Sequence, residues 1–262
     1  MTTAALHVAR TGLDAQAARM RVIANNLANV NTTGFKRDRA QFETLAYQTI
    51  TAAGAPSSAE ARYATGTALG SGVQMTGTAR LNTQGALSTT DNPLDMAIEG
   101  DGFFQVTMPD GRIGYTRAGN FNLSAEGQIV TGKGYPLQPQ IQVPEGTESI
   151  TIGNDGTVSA KMPGETESTT LGQIELARFV NPAGLQALGS NLLVETAASG
   201  TPQTGVAGLD GRGSIQQGAL EASNVNVVQE LVDMIETQRA YEVSSKMITA
   251  TDEMLRNANQ NL

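Results

Sequence analysis

Four carboxylates, Asp91, Asp95, Glu99 and Asp101, are crowded into one short stretch of the chain. Two such groups facing each other could act as general acid and base on a glycosidic bond. Their setting argues for something plainer. Leu94, Met96 and Ile98 alternate with Asp95 and Glu99. Strand alternation turns the acids to solvent and the apolar residues inward, which is where charges ordinarily sit. Most other site chemistry is excluded by what the chain lacks. There is no Cys, so disulfides, thiolate zinc sites, iron–sulfur clusters and thiol nucleophiles are ruled out. His7 is the only histidine. It cannot build a His-ligated metal cluster, and a Ser-His-Asp triad would rest on a residue near a chain start, where fraying concentrates. The pairs at 101–102, 110–111 and 155–156 are Asp-Gly. They lack the EF-hand spacing and read as hairpin turns rather than calcium loops. No catalytic, metal-binding or cofactor-binding residue is expected.

The elements that would position any site are unequally distributed. The 262 residues carry 17 basic and 25 acidic groups, a net charge of −8. That balance is opposite to a nucleic-acid footprint. No run approaches the roughly 18 apolar residues of a membrane span. The first residues lack the basic and apolar blocks of a cleaved signal peptide, so neither membrane insertion nor a processed leader is expected. Residues 1–45 are net basic, residues 224–262 net acidic, and the middle carries most of the negative charge. The two ends are therefore electrostatically complementary, although each exposed pair contributes little.

Both ends read as helices. Leu6, Ala9, Leu13, Gln16, Met20, Ile23, Leu27 and Val30 are spaced alternately by three and four. This is a coiled-coil seam that should end near Asn31. At the other end, Val227, Met234, Tyr241, Ile248, Leu255 and Leu262 recur every seven residues, with Leu231 in an intervening slot and Met247 and Met254 widening the strip. Ser223 or Asn224 is a plausible N-cap for a helix of about 35 residues, about 50 Å long. Neither seam is sealed by apolar residues. One outcome is a hairpin of two helices with partly polar faces. The other is a pair that buries its remaining faces against further copies of itself, a contact that propagates into a filament when its rotation does not close.

Between the helices, short alternating runs are separated by Gly- and Asp-rich turns every 8–12 residues, the mark of an antiparallel sandwich or barrel. Phe103, Phe104 and Val106, then Ile113 and Tyr115, then Phe121 and Leu123 belong to this pattern. Gln84-Gly-Ala-Leu87 is echoed by Gln217-Gly-Ala-Leu220. The simplest reading is two strands that enter and leave one domain. Residues 51–72 and 197–213 are small, polar and Gly-rich, and taken alone they read as loops or disorder. The fold class is α+β: terminal helices that pair, with antiparallel β structure inserted between them and an elongated subunit as the result.

Several long strings now carry a resemblance. Ile23-Ala-Asn-Asn-Leu-Ala-Asn-Val-Asn-Thr-Thr-Gly-Phe-Lys36 holds Asn25, Asn26, Asn29, Gly34, Phe35 and Lys36. Ser223-Asn-Val-Asn-Val-Val-Gln-Glu-Leu-Val232 holds Asn224 and Asn226, and Gln238-Arg-Ala-Tyr-Glu242 holds Arg239 and Glu242. With Asp95–Val106 and Tyr115–Phe121, these strings resemble the bacterial flagellar rod and hook family over nearly the whole chain. Ala118 departs from a position where the family more often has an acid, which touches only a turn. Thr11–Gln16 and Gln41–Ile50, with the stretch to Gly72, are similar to the members that build the distal rod.

The resemblance implies a structural, non-enzymatic subunit. Its terminal domain, residues 1–31 and 224–262, would form an inner tube. Residues 32–75 and 212–223 would form a connecting β-rich region, and 76–211 an outer antiparallel domain. The two seams would be subunit interfaces. The loop 46–72, with Tyr47, Gln48, Pro56, Tyr63 and Gly72, would stiffen the rod. Implied partners are further copies in a helical polymer, proximal rod proteins, hook protein, the P- and L-ring proteins, the rod cap and the flagellar type III export apparatus. The place is the rod of the basal body, across the periplasm, reached without a cleaved signal. A proximal rod or hook subunit, a carbohydrate-acting β-domain protein and a free binding module are the alternatives.

Overall fold

The computed structural model describes residues 2–56, 61–164 and 167–260. The side chain of Leu255, and Leu262 altogether, lie outside the described residues. The chain divides into two compact units. The first comprises Met1–Ala28, Asp38–Ala79 and Asn226–Leu262, and the second comprises Asn29–Arg37 and Arg80–Val225.

The first unit is built on two helices, α1 (Thr2–Ala28) and α2 (Val227–Gln260). α1 stops three residues before Asn31. Asn29 turns the chain, its carbonyl accepting from the Thr32 amide and its side chain from the Thr32 hydroxyl. The N-cap of α2 is Asn226, not Ser223 or Asn224. The Asn226 Oδ1 accepts the amides of Val228 and Gln229 at 3.1 and 3.2 Å, satisfying two of the orphan donors of the first turn. Asn224 is unavailable because its amide group is spent on tertiary bonds, described below. The two helices pack on each other in an antiparallel sense, with Gly12 beside Ser244, Arg19 beside Asp233 and Asn26 beside Glu230. Strand Asp38–Thr44 pairs with Val73–Arg80, and a hairpin of Tyr47–Thr51 and Thr67–Gly70 completes the unit.

The second unit is antiparallel β structure. Its main sheet runs in the order Gln186–Gly189, Leu192–Val194, Ile113–Thr116, Phe103–Thr107, Glu175–Arg178 and Gln203–Val206, with Leu137–Gln138 also on Phe103–Thr107. A three-stranded sheet, Ser149–Ile152, Thr157–Lys161 and Thr169–Gln173, lies in the same unit. Alternation sends neighbouring residues to opposite faces of the main sheet. Phe104 enters the larger core with Met96, Ile98, Phe121, Ile129, Leu176 and Ile215. Phe103 joins a smaller cluster with Tyr115, Phe179, Leu185 and Leu193. Edge-to-face ring contacts stitch both, Phe104 on Phe121 at 5.2 Å and Tyr115 on Phe179 at 4.8 Å. With so few aromatics in the chain, placing them here gives the β unit its largest buried volumes.

The sequence echo is a physical pair. Leu87–Thr89 and Ala219–Glu221, each directly following or within one repeat, are antiparallel neighbours, with Leu87 opposite Glu221 and Thr89 opposite Ala219. Met96–Glu99, the next strand after Leu87–Thr89, pairs with Ser214–Gln217, the strand before Ala219–Glu221. The segment that leaves the β unit is thus zipped to the segment that enters it. Among the described residues, no helix is long and apolar enough to cross a membrane.

Candidate subunit interface

Inside the helix pair the contacts are small and polar. Ala9, Ala15 and Ala18 are buried on α1, and Glu230 and Thr237 are buried on α2. Arg19 Nη2 lies 3.7 Å from Asp233 Oδ1, and Asn26 Nδ2 donates to Glu230 Oε2 at 3.2 Å. The Asn26 side chain also takes the Asp38 amide and donates to the Asp38 carbonyl, which fastens the first strand to the end of α1. Small side chains let the helices approach closely, but they bury little apolar area.

Apart from Ile23, which is buried in register with these positions, the large apolar residues lie elsewhere. Leu13, Met20 and Leu27 each follow by one residue a position that reaches α2 (Gly12, Arg19, Asn26), so they sit about 100° further round α1. They and Leu6 are half-buried, while Ile23 is buried, and Val30, beyond the helix in the second unit, is half-buried. On α2, Met234 and Ile248 flank the contact face and are half-buried, whereas Val227, Leu231 and Tyr241 are exposed. A further stripe was not legible as a heptad. Val228, Val232, Ile235 and Val243 keep helical spacing on the face turned away from Glu230 and Thr237, and all are exposed, Val228 at 72%. Their signal was the i, i+4, i+7 spacing of Val228, Val232 and Ile235. Met247 and Met254, read from the sequence as widening the seam, are exposed beside the contact face, in the heptad register of Asp233. Exposed apolar patches of this kind commonly mark surfaces that meet another protein, a membrane or a ligand.

The 46–72 stretch, which reads as loop, holds an antiparallel hairpin, Tyr47 opposite Gly70 and Thr51 opposite Thr67. Both faces are largely open, so no inside–outside alternation was imposed on its sequence. Tyr47 is 61% and Ile50 63% exposed, and Gln48, Pro56, Tyr63 and Leu69 are exposed as well. Pro56 and Arg62 form an isolated antiparallel bridge, and Gly72 is half-buried against the Thr11 side chain of α1, its carbonyl accepting the Leu45 amide at 2.9 Å.

The signature strings of the second unit converge on a residue that sequence reading passed over. Glu221 is fully buried at the end of the echo strand. Its Oε1 accepts from Lys36 Nζ at 2.5 Å and from the Gly85 amide at 2.8 Å, and its Oε2 lies 3.3 Å from Arg117 Nε. Lys36 also donates to the Thr83 carbonyl, and Arg117 to the Gly100 and Gly102 carbonyls. Burial pushes Lys36 below the ordinary lysine range, with the Glu221 hydrogen bond and charge opposing. Burial likewise lowers Arg117, opposed by Glu221 and Asp101. Gly34 donates to the Glu221 carbonyl at 2.8 Å. Asn224 Oδ1 takes the Arg37 amide at 2.7 Å, and its Nδ2 donates to the Leu81 and Thr83 carbonyls. The Asn224 amide donates to the Phe35 carbonyl. Asn25 is exposed on α1, and Arg239 and Glu242 are exposed on α2.

The clustered carboxylates do not form a pair. Asp95, expected on the solvent face, is buried. It is held by Thr90 Oγ1 at 2.8 Å and Asn92 Nδ2 at 3.1 Å, because it closes the turn before its strand rather than lying within the alternation. Asp91, Glu99 and Asp101 are exposed. Asp101 stands at the mouth of a cavity of about 150 Å³ with Arg117, Arg178 and Phe179, and no second carboxylate lines it.

Paired terminal helices, one of them with an open apolar stripe, with an antiparallel β unit inserted between them in the sequence, define an axial assembly protein. Three family models agree, segment by segment. Residues 6–36 match the flagella basal body rod protein model, 97–160 the flagellar hook protein FlgE/F/G D1 domain, and 216–261 the flagellar basal body rod FlgEFG protein C-terminal model. The flagellar basal-body rod protein FlgG of Buchnera aphidicola subsp. Acyrthosiphon pisum is 52% identical over 97% of this chain and 98% of the relative. That of Borreliella burgdorferi is 47% identical over 97% of each. The flagellar basal-body rod protein FlgF of Salmonella typhimurium is 35% identical over 91% of this chain and 90% of the relative. The chain belongs to the flagellar basal-body rod protein family, with FlgG as the branch it matches at full length. It is a structural subunit of the distal rod.

Proposed function

We propose that the chain polymerises into a rigid, hollow, helical shaft that carries motor torque to the hook and surrounds the export channel. The exposed apolar stripe of α2 supports this reading most directly. It is distinct from the face that joins the two helices, and with the half-buried leucines of α1 it gives each subunit surface for neighbours on more than one side. Contacts of that kind are heterologous and extend without closing. The tube would be made by the terminal domain, 1–31 and 224–262, with 32–75 and 212–223 around it and 76–211 outermost. The partners are other copies first, then proximal rod proteins, hook protein, the P- and L-ring proteins, the rod cap and the type III export apparatus. The site of action is the periplasmic rod, reached without a cleaved signal. A shaft needs neither catalysis nor a cofactor.

The exposed Tyr47, Ile50, Tyr63 and Leu69 give the hairpin a surface to lay against neighbouring subunits, and rigidity follows from that added contact. Deleting 46–72 should leave the subunit exported but produce rods that bend when imaged in isolated basal bodies. Straight, stiff rods from the deletion would remove the stiffening role. Labelling the protein in basal bodies arrested at successive stages separates a distal rod position from a proximal rod or hook position.

A further inference from the structure

We infer that Glu221 is a latch that fastens both chain segments leading out of the β unit, so that they hold or release together. Three stretches meet at this one carboxylate: Gly34–Arg37, Leu81–Gly85 and Glu221–Asn224. The first and the last are the stretches by which the chain leaves the second unit, next to Asp38 and Asn226 where the first unit resumes.

The coupling is chemical. Lys36 is 5% exposed and Arg117 is 6% exposed. Two cations at that depth are tolerated only with a counter-charge, and breaking a buried pair leaves the remaining charge uncompensated. Glu221 supplies one oxygen to each cation. If the Glu221 segment lifts away, Lys36 must move to water and takes the Gly34–Arg37 stretch with it. The backbone bonds tie the same three segments: Gly34 to Glu221, Asn224 to Phe35, Leu81 to Arg37 and Ala222 to Ala86. Gly85 and Arg37 donate their amides to the Glu221 and Asn224 side chains. Lifting Glu221 away leaves Lys36 and Arg117 buried without their counter-charge, so the segments that they and Glu221 belong to open as one step. The main core is a different set of contacts: the cluster that holds Phe104 and Leu176 contains no residue of Gly34–Arg37, Leu81–Gly85 or Glu221–Asn224. The latch can therefore open below the free energy of global unfolding, as local cooperative units do.

Native-state hydrogen exchange on the full-length monomer, followed by NMR, tests this on the unaltered protein. The amides of Gly34, Arg37, Leu81, Gly85, Ala222 and Asn224 should share one opening equilibrium, at least tenfold more open than the amides of Phe104 and Leu176. Glu221→Gln keeps the shape of the side chain and removes its charge. It should speed all six amides together by tenfold or more, while Phe104 and Leu176 stay within twofold. Six independent exchange rates in the unaltered chain would overturn the latch. So would a Glu221→Gln effect confined to Gly85, or one spread equally over the core. If Glu221→Gln does not fold, the common opening equilibrium of the unaltered chain decides alone.

Discussion

Aspartate at both Val228 and Ile235 should abolish the distal rod while leaving the subunit folded. Both lie on the side of α2 away from Glu230 and Thr237, and both are exposed in the single chain, Val228 most of all. The folded monomer therefore loses little packing, and the α1–α2 contacts through Asn26, Arg19 and Gly12 are untouched. In an assembled rod the same positions would bring charges into an apolar contact without partners. A buried unpaired charge costs several kcal/mol, and a contact repeated along a filament multiplies that cost. The expected result is a helical circular dichroism signal equal to that of the unaltered chain, no rods in isolated basal bodies and no swimming. Leu13→Asp or Leu27→Asp, at half-buried positions of α1, should also abolish the rod, with some loss of helix stability in the monomer. Rods of normal length from the Val228→Asp, Ile235→Asp variant would show that the outward stripe of α2 is not an assembly surface.

The second large effect concerns Gly34. Its φ is +68°, and a Cβ placed there would lie 2.6 Å from the Ala118 nitrogen and from the Arg117 carbonyl carbon. Both obstacles are main chain, so neither can rotate aside. Gly34→Val adds left-handed strain to a clash that must push the Gly34–Arg37 stretch off the Arg117 turn, and Lys36 moves with it. A loss of about 3 kcal/mol or more of stability is expected, combining backbone strain with overpacking. Gly54→Ala is the control: φ is +80° there, but nothing lies within 4 Å, and a loss of about 1 kcal/mol is expected from strain alone. Denaturant unfolding of the two variants measures the difference. Equal losses at the two sites would mean that the close approach of Gly34 to Arg117 does not matter.

The helices and the β class were legible because each imposes a period. Leu6 to Val30 and Val227 to Leu255 mark helices by spacing alone, and Phe103, Phe104 and Tyr115 mark strands by alternation. The paired echo of Gln84–Leu87 and Gln217–Leu220 was legible as topology because both copies do the same job on adjacent strands. The choice of face was harder. A heptad says which residues line up, but not which of two lines meets the partner helix. Here the intramolecular contact is made by Gly12, Arg19, Asn26, Glu230 and Ser244, residues that no hydrophobic count selects. Glu221 was invisible for a related reason. Its partners Lys36, Gly85 and Arg117 are scattered over the chain, and only the closed β unit brings them together. The 46–72 hairpin was unreadable because neither face of it is buried in the single chain, so nothing constrained its residues to alternate.

The central claim is that other copies cover the outward stripe of α2. The chain has no cysteine, so single cysteines placed at Val228, Val232, Ile235 and Val243 can be labelled with a maleimide without background. Labelling rates compared between the monomer and isolated rods, with Val180→Cys on the β unit as reference, test the claim most directly. The four α2 positions should react readily in the monomer and at least tenfold more slowly in rods, relative to the reference. Equal reactivity in the two states would contradict the account.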